Sequence, residues 1–398
     1  MPSRIVRGYG LWLLSCVLSA SDALIDTDFA AAALYAPLPA MPLAHGALPT
    51  GWADNSTWSK ADCTYAASTA DGAGFLHISG ASKGRIQFWH QLAPFAVRSA
   101  FRLTLRARSA APTSLRISIA RMAAPYRTIA STTIPLTVAW QDVSRVIAGG
   151  PGEEPLGLLV AADSPGSIDL ASLRLAAAEL SEYVPSTTVP VMRTDRDWYP
   201  QRQRELVAQL VAEQPKVVVM GDSLTAAWAK EGAASWTAAL APLHATAYGI
   251  GGDRVEHLAW RLRNSGIGTT FTPQVAVVLI GVNNLATDTP DDIAQGTGAV
   301  LDYLAQASPH TKVLLLGLFP TGEKSDHPNR ALVREVNARY AELARSRKVA
   351  FADLGAQVLA ADGRLPPETS FDALHFTAAG YALYARALVP EIGKLLAP

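Results

Sequence analysis

Val217-Val218-Val219-Met220-Gly221-Asp222-Ser223-Leu224-Thr225 reads as a short buried strand that breaks at a glycine and presents a serine. An apolar run of four residues ended by a turn signal is the pattern of a strand covered on both faces. It recurs at residues 245–248, 275–280, 313–318 and 349–354, with long amphipathic stretches between, such as 293–307 and 331–347. Apolar strands separated by helix-length segments predict a parallel sheet with helices on both faces. Helix starts are signalled by Asp253 with Glu256 as a capping box, by Thr289 before Pro290, and by Thr377 ahead of the final stretch. Residues 197–398 therefore form a three-layer α/β domain with five strands.

Upstream the period changes to two. Phe101, Leu103 and Leu105 alternate with Arg102, Thr104 and Arg106; Leu115, Ile117 and Ile119 alternate with Arg116 and Ser118. Turn clusters separate such runs at Asp71-Gly72, Ser82-Lys83-Gly84, residues 149–155 and Ser164-Pro165-Gly166. Many short strands without helices predict a β-sandwich or jelly roll over residues 24–181. Residues 182–196, rich in Pro, Ser, Thr and Val, predict a linker in which Pro185 and Pro190 block regular structure. Trp58, Trp89 and Tyr126 are candidates to stack on sugar rings. Filling the sandwich core is the simpler expectation for each, because large aromatics dominate packing.

Residues 1–23 predict an export signal: Arg4 and Arg7 open it, the apolar run 11–18 follows, and Ser21-Asp22-Ala23 offers a cleavage site. That run falls short of the roughly 20 residues that span a bilayer, and no later stretch predicts an integral membrane segment in the mature protein. The expected location is periplasmic or secreted; alternatively, Leu13-Leu14-Ser15-Cys16 approximates a lipobox and predicts a lipoprotein anchored through Cys16. Cysteines occur only at 16 and 63, so the mature chain has no internal disulfide, and Cys63 is expected as a buried thiol. The 34 basic and 34 acidic residues balance, which gives no basic excess for nucleic acid to bind.

Four segments carry chemistry. Ser223 follows the first strand of the α/β half, where open sheets gather their ligands. Tyr248-Gly249-Ile250-Gly251-Gly252-Asp253 ends the second strand, with glycines that let backbone N–H groups approach a substrate. Gly281-Val282-Asn283-Asn284 ends the third and offers a side-chain amide. Phe371-Asp372-Ala373-Leu374-His375 precedes the last helix and places a carboxylate three residues before a histidine. That carboxylate can hold Nδ1–H while Nε2 takes the serine proton.

In this order the blocks resemble the SGNH (GDSL) hydrolase superfamily. The stretches Gly249-Ile250-Gly251-Gly252-Asp253, Leu258-Ala259-Trp260-Arg261-Leu262, Gly281-Val282-Asn283-Asn284 and Leu316-Gly317-Leu318-Phe319-Pro320-Thr321-Gly322 look especially like the catalytic subunits of platelet-activating-factor acetylhydrolases. The resemblance implies a flavodoxin-like sheet, a Ser223–His375–Asp372 triad, and an oxyanion hole from the N–H groups of Ser223 and Gly252 and the Asn283 amide. It implies pairing as a homodimer, and the chemistry requires no metal or organic cofactor. Asn284 stands where the wider superfamily has Asp, and Val282 where the acetylhydrolase branch has Thr. Leu224, Val282 and Leu374 flank these positions and predict a pocket for a short acyl chain. The upstream half resembles jelly-roll modules of carbohydrate-active enzymes, on Trp52 and Trp58, Phe88-Trp89, Trp140-Gln141-Asp142 and Ser167-Ile168-Asp169-Leu170. Together they predict an exported esterase that deacetylates a glycan. Hydrolysis of an acetyl lipid or small ester, and O-acetyl transfer to an exopolysaccharide, are the alternatives; a non-catalytic glycan-binding shell fits poorly with an intact triad.

Overall fold

The computed structural model describes residues 23–39, 43–70, 72–80, 84–124, 126–152, 154–163 and 167–397. The chain divides between Tyr183 and Val184 into two compact units. The expected export segment with Cys16, and the turn residues Asp71, Ser82, Lys83, Ser164, Pro165 and Gly166, lie outside the described residues.

The first unit is a β-sandwich. One sheet runs in the order Gln141–Gly149, Ser99–Ser109, Ser167–Ala178, Ala73–Gly80, Cys63–Ala70, Ala44–Pro49 and Tyr35–Pro37, with Ala23–Asp28 also paired to Ser167–Ala178. The other runs Arg127–Leu136, Thr113–Arg121, Leu156–Asp163, Arg85–Leu92 and Trp52–Asp54. Period-two alternation turns Phe101, Leu103 and Leu105 of the first sheet and Leu115, Ile117 and Ile119 of the second into one shared core. Trp52 and Phe88 fill that core, with ring centroids 5.2 Å apart, and Cys63 is a buried free thiol. The core-filling expectation fails for Trp58 and Tyr126, which are 62% and 78% exposed. Both lie outside the strands, Trp58 in the 3-10 helix Thr57–Ser59 and Tyr126 just ahead of Arg127–Leu136, where alternation no longer assigns a face; Trp58 Nε1 donates to Gln87 Oε1 at 3.0 Å. Trp89 is half-buried.

The second unit is built on five parallel strands: β1 (Val217–Gly221), β2 (Ala245–Gly249), β3 (Val275–Leu279), β4 (Lys312–Leu316) and β5 (Ala350–Ala352), in the order β2-β1-β3-β4-β5. Every residue of β1 and β3 is buried, as a sheet covered on both faces requires. Helices α1 (Tyr199–Glu213), α2 (Ser223–Ala226), α3 (Val255–Arg263), α4 (Pro290–Ala307), α5 (Pro328–Arg347) and α6 (Ala378–Leu396) complete the layers. Thr289 caps α4 by accepting from Asp292 N–H at 3.2 Å, and Thr377 caps α6 by accepting from Gly380 N–H at 3.2 Å. The Asp253/Glu256 capping box does not form. Its carboxylate is drawn to Arg261, Nε to Oδ2 at 2.8 Å, and accepts from Tyr199 OH at 3.0 Å; His257 Nδ1 accepts the Arg254 N–H instead. A buried cation outcompetes a local cap.

Residues 184–196, expected within a linker, pack on this unit. Thr187 is buried and its hydroxyl donates to Asp292 O at 2.5 Å, while Val191 N–H donates to Glu256 O at 3.2 Å. Gly296 makes room, since a Cβ there would lie 2.6 Å from Thr187 Cβ. Among the described residues, no helix is long and apolar enough to cross a membrane.

Candidate active site

Register brings the chemistry together. Gly221 pairs with Gly249 of β2 and Leu279 of β3, so three strands end level. The loops that follow are the crevice where sheets of this order bind ligands. Asp222 caps α2 by accepting from Leu224 N–H at 3.0 Å, and half-buried Ser223 opens that turn. After β2, Gly252 adopts φ +78°, a conformation that favours glycine. After β3, Gly281 at φ +120° leads into Asn283, whose amide donates to Asp253 O at 2.8 Å and so lies against the Gly252 turn. A Cβ on Gly251 would sit 3.8 Å from Ser223 Cβ. Among the described residues, no carbonyl accepts from the Ser223 or Gly252 N–H.

The fourth segment arrives from the other end of the chain. His375 Nε2 lies 2.9 Å from Ser223 Oγ, and His375 Nδ1 lies 2.6 Å from Asp372 Oδ2. Asp372 Oδ1 accepts the N–H groups of Leu374 at 3.0 Å and His375 at 2.7 Å, which closes an Asx-type turn. Ala373 takes φ +62° within it, and its carbonyl accepts from Gly322 N–H at 2.9 Å.

Comparison with known proteins gives the family of this unit. The family model described as GDSL-like Lipase/Acylhydrolase family matches residues 219–383. Platelet-activating factor acetylhydrolase IB subunit alpha2 of Rattus norvegicus is 32% identical over 218 residues, 54% of this chain and 90% of that protein. Subunit alpha1 of Bos taurus is 32% identical over 215 residues, 53% of this chain and 88% of that protein. This chain belongs to the GDSL-like lipase/acylhydrolase family. A crystal structure of a GDSL-like lipase from Bacteroides thetaiotaomicron is also similar, at 21% identity and a TM-score of 0.42, over 49% of this chain and 98% of that one.

The electrostatics of the GDSL-like site separate its carboxylates. Burial works against ionisation of Asp372, but the hydrogen bonds from the His375 ring and the two backbone N–H groups outweigh it and hold the carboxyl below its ordinary value. Burial pushes Asp222 up to about 7, and pushes Asp253 up to about 6 against the opposing pull of Arg261. His257 is lowered to about 4, by burial first and then by the charges of Arg193 and Arg254, and is neutral.

Of the three residues expected to line an acyl pocket, Val282 and Leu374 are half-buried and adjoin Asn283 and His375 in sequence. Leu224, next to Ser223, is 2% exposed and packs in the core of the unit. Asn284 is fully buried and structural, accepting from Val255 N–H at 3.0 Å and donating to Glu256 Oε2 at 3.1 Å. Sequence reasoning gave no role to Phe371, which is 59% exposed and stacked on the His375 ring, centroids 5.9 Å apart and planes 16° off parallel. An apolar residue beside an Asp–X–X–His turn is its only signal in sequence.

Proposed function

We propose that this acylhydrolase is an exported serine esterase that removes short acyl groups, chiefly acetyl, from a glycan. The observation that carries the chemistry is the unbroken hydrogen-bond chain from Ser223 Oγ through His375 to Asp372, at 2.9 and 2.6 Å. In this reading His375 Nε2 takes the Ser223 proton as Oγ bonds to the ester carbonyl carbon. The carbonyl π electrons move onto oxygen, which the N–H groups of Ser223 and Gly252 and the Asn283 amide receive. Collapse breaks the bond to the alcohol, which leaves with the proton from His375. Water then repeats the sequence on the acyl-serine and releases the acid. Asp372, held ionised, keeps the imidazole in the tautomer that accepts at Nε2 and stabilises the imidazolium.

Support for an acetyl group comes from the half-buried Val282 and Leu374, which adjoin Asn283 and His375 in sequence, and from the acetylhydrolase relatives. Support for a glycan comes from the β-sandwich with exposed Trp58 and Tyr126 and from the export pattern of residues 1–23. The relatives' name favours a second reading, an acetylated lipid or small ester. Acetate release from acetylated xylan, mannan, pectin, peptidoglycan and an acetyl lipid, with Ser223→Ala as blank, separates the two. Release from a polysaccharide is expected; release from the lipid alone would overturn the glycan reading, and equal release by Ser223→Ala would overturn the mechanism.

A further inference from the structure

The turn that presents Gly252 is gripped from outside by a residue beyond the four sequence blocks. Arg193 lies in the segment ahead of α1 and is 9% exposed. Its Nη1 donates to Gly251 O at 2.7 Å, and its Nε and Nη2 donate to Asp195 Oδ1 and Oδ2 at 3.1 and 3.0 Å. The guanidinium carbon lies 5.6 Å from the centre of the Tyr199 ring. A Cβ on Gly252 would stand 2.9 Å from Arg193 Nη1, so the guanidinium lies directly against that glycine.

The geometry of one peptide plane connects this grip to catalysis. Gly251 C=O and Gly252 N–H belong to the same trans peptide and point in opposite directions. Whatever fixes the carbonyl therefore aims the N–H. Glycine on both sides leaves this plane with little steric resistance to rotation, and a rotated plane would turn a carbonyl, not a donor, toward the reacting oxygen. We infer that Arg193 is a positioning residue that locks the Gly251–Gly252 peptide with its N–H toward the ester oxyanion. Asp195 fixes the guanidinium for that purpose. The inference rests on the acyl-transfer reading above, and it makes residues 184–196 part of the working α/β unit.

The test uses the full chain and p-nitrophenyl acetate. Arg193→Ala should lower kcat about ten- to a hundredfold, less than the 10²–10³ lost when an oxyanion donor is deleted outright, because a fraction of the planes remains aligned. KM should stay near wild type, since the ground-state ester does not depend on the donor. Guanidinium chloride at a non-denaturing concentration should restore part of the lost kcat, with sodium chloride at equal ionic strength as the control. If Arg193→Ala does not fold, Arg193→Met keeps the apolar stem, lacks the donors and should show the same kcat loss. A folded variant with wild-type kcat would overturn the role of Arg193, as would a kcat loss in Arg193→Ala that guanidinium does not relieve. An inactive wild type, or an active Ser223→Ala, would instead overturn the acyl-transfer reading itself.

Discussion

Replacing Asp372 with Asn changes almost no volume and moves one proton. Asp372 uses its two oxygens for different tasks: Oδ1 takes the N–H groups of Leu374 and His375, and Oδ2 faces His375 Nδ1 at 2.6 Å. In Asp372→Asn the amide oxygen keeps the two backbone donors, so the turn survives, and the NH₂ group faces the imidazole. An NH₂ cannot accept from Nδ1–H. His375 then settles with its proton on Nε2, and Nε2 can no longer accept from Ser223 Oγ 2.9 Å away. The loss does not hinge on Coulomb attraction, which water weakens at a side chain 42% exposed. In Ser-His-Asp proteases the same change costs about 10⁴ in turnover. Here the exposed pair gives the imidazole more freedom to turn toward water, so about 10³ is expected, or about 4 kcal/mol of transition-state stabilisation. The assay is kcat for p-nitrophenyl acetate near neutral pH, beside a thermal unfolding curve that should be unchanged. A folded Asp372→Asn protein within about tenfold of wild-type kcat would refute the tautomer argument and leave Asp372 as a turn former only.

Other perturbations read other parts of the same structure. Asn283→Ala removes the amide bonded to Asp253 O at 2.8 Å; kcat should fall about 10²–10³-fold with KM little changed, and an unchanged kcat would take Asn283 out of the oxyanion hole. Arg261→Met leaves Asp253 buried without its cation, and urea unfolding should show a loss of about 3–5 kcal/mol; no measurable loss would mean the pair contributes nothing to stability. Burial raises the Asp222 carboxyl from 3.8 to about 7, so the folded state holds that proton more tightly than the unfolded chain. Its stabilising contribution is full below the unfolded value of 3.8 and is lost as pH rises through about 7, at most about 4 kcal/mol in all. Asp222→Asn retains the cap and lacks this loss, so its stability relative to wild type should rise across that window; a pH-independent difference would show that Asp222 ionises as an ordinary carboxylate.

Much of the α/β unit was legible because its signals are local. A run such as 217–220 is a strand in nearly any context that buries both faces, and Thr289 before Pro290 caps a helix with atoms three residues apart. The Asp–X–X–His turn is equally self-contained, since both partners of its central bond lie within four residues. What failed depended on distant partners. Asp253 had a plausible local cap, but Arg261, Tyr199 and the Asn283 amide converge on it from three other segments. Residues 184–196 looked like a linker because prolines exclude regular structure, yet irregular backbone can still pack when its donors find carbonyls, as Val191 does at Glu256. Alternation in the sandwich marked two faces correctly but said nothing of the segments between strands, where Trp58 and Tyr126 lie exposed.

The buried Arg261 shows why a site assembled from local motifs still needs a non-local support. Its Nη2 donates to Gly221 O at 3.2 Å and Tyr248 O at 2.9 Å, its Nε faces Asp253 at 2.8 Å, and its guanidinium carbon lies 4.2 Å from the centre of the Tyr248 ring. Gly221 precedes Ser223 by two residues, Tyr248 is the penultimate residue of the adjacent strand, and Asp253 follows Gly252. One planar cation thus spans three segments whose relative placement decides whether Ser223 Oγ and Gly252 N–H meet the same ester. Removing two charges from water costs several kcal/mol each, and an apolar pair of equal volume would serve stability as well. An apolar pair could not bond two strand-end carbonyls and a loop carboxylate at once. The buried ion pair is therefore better explained by the alignment it enforces than by the stability it supplies, and Arg193 does from the solvent side of the same turn what Arg261 does from within.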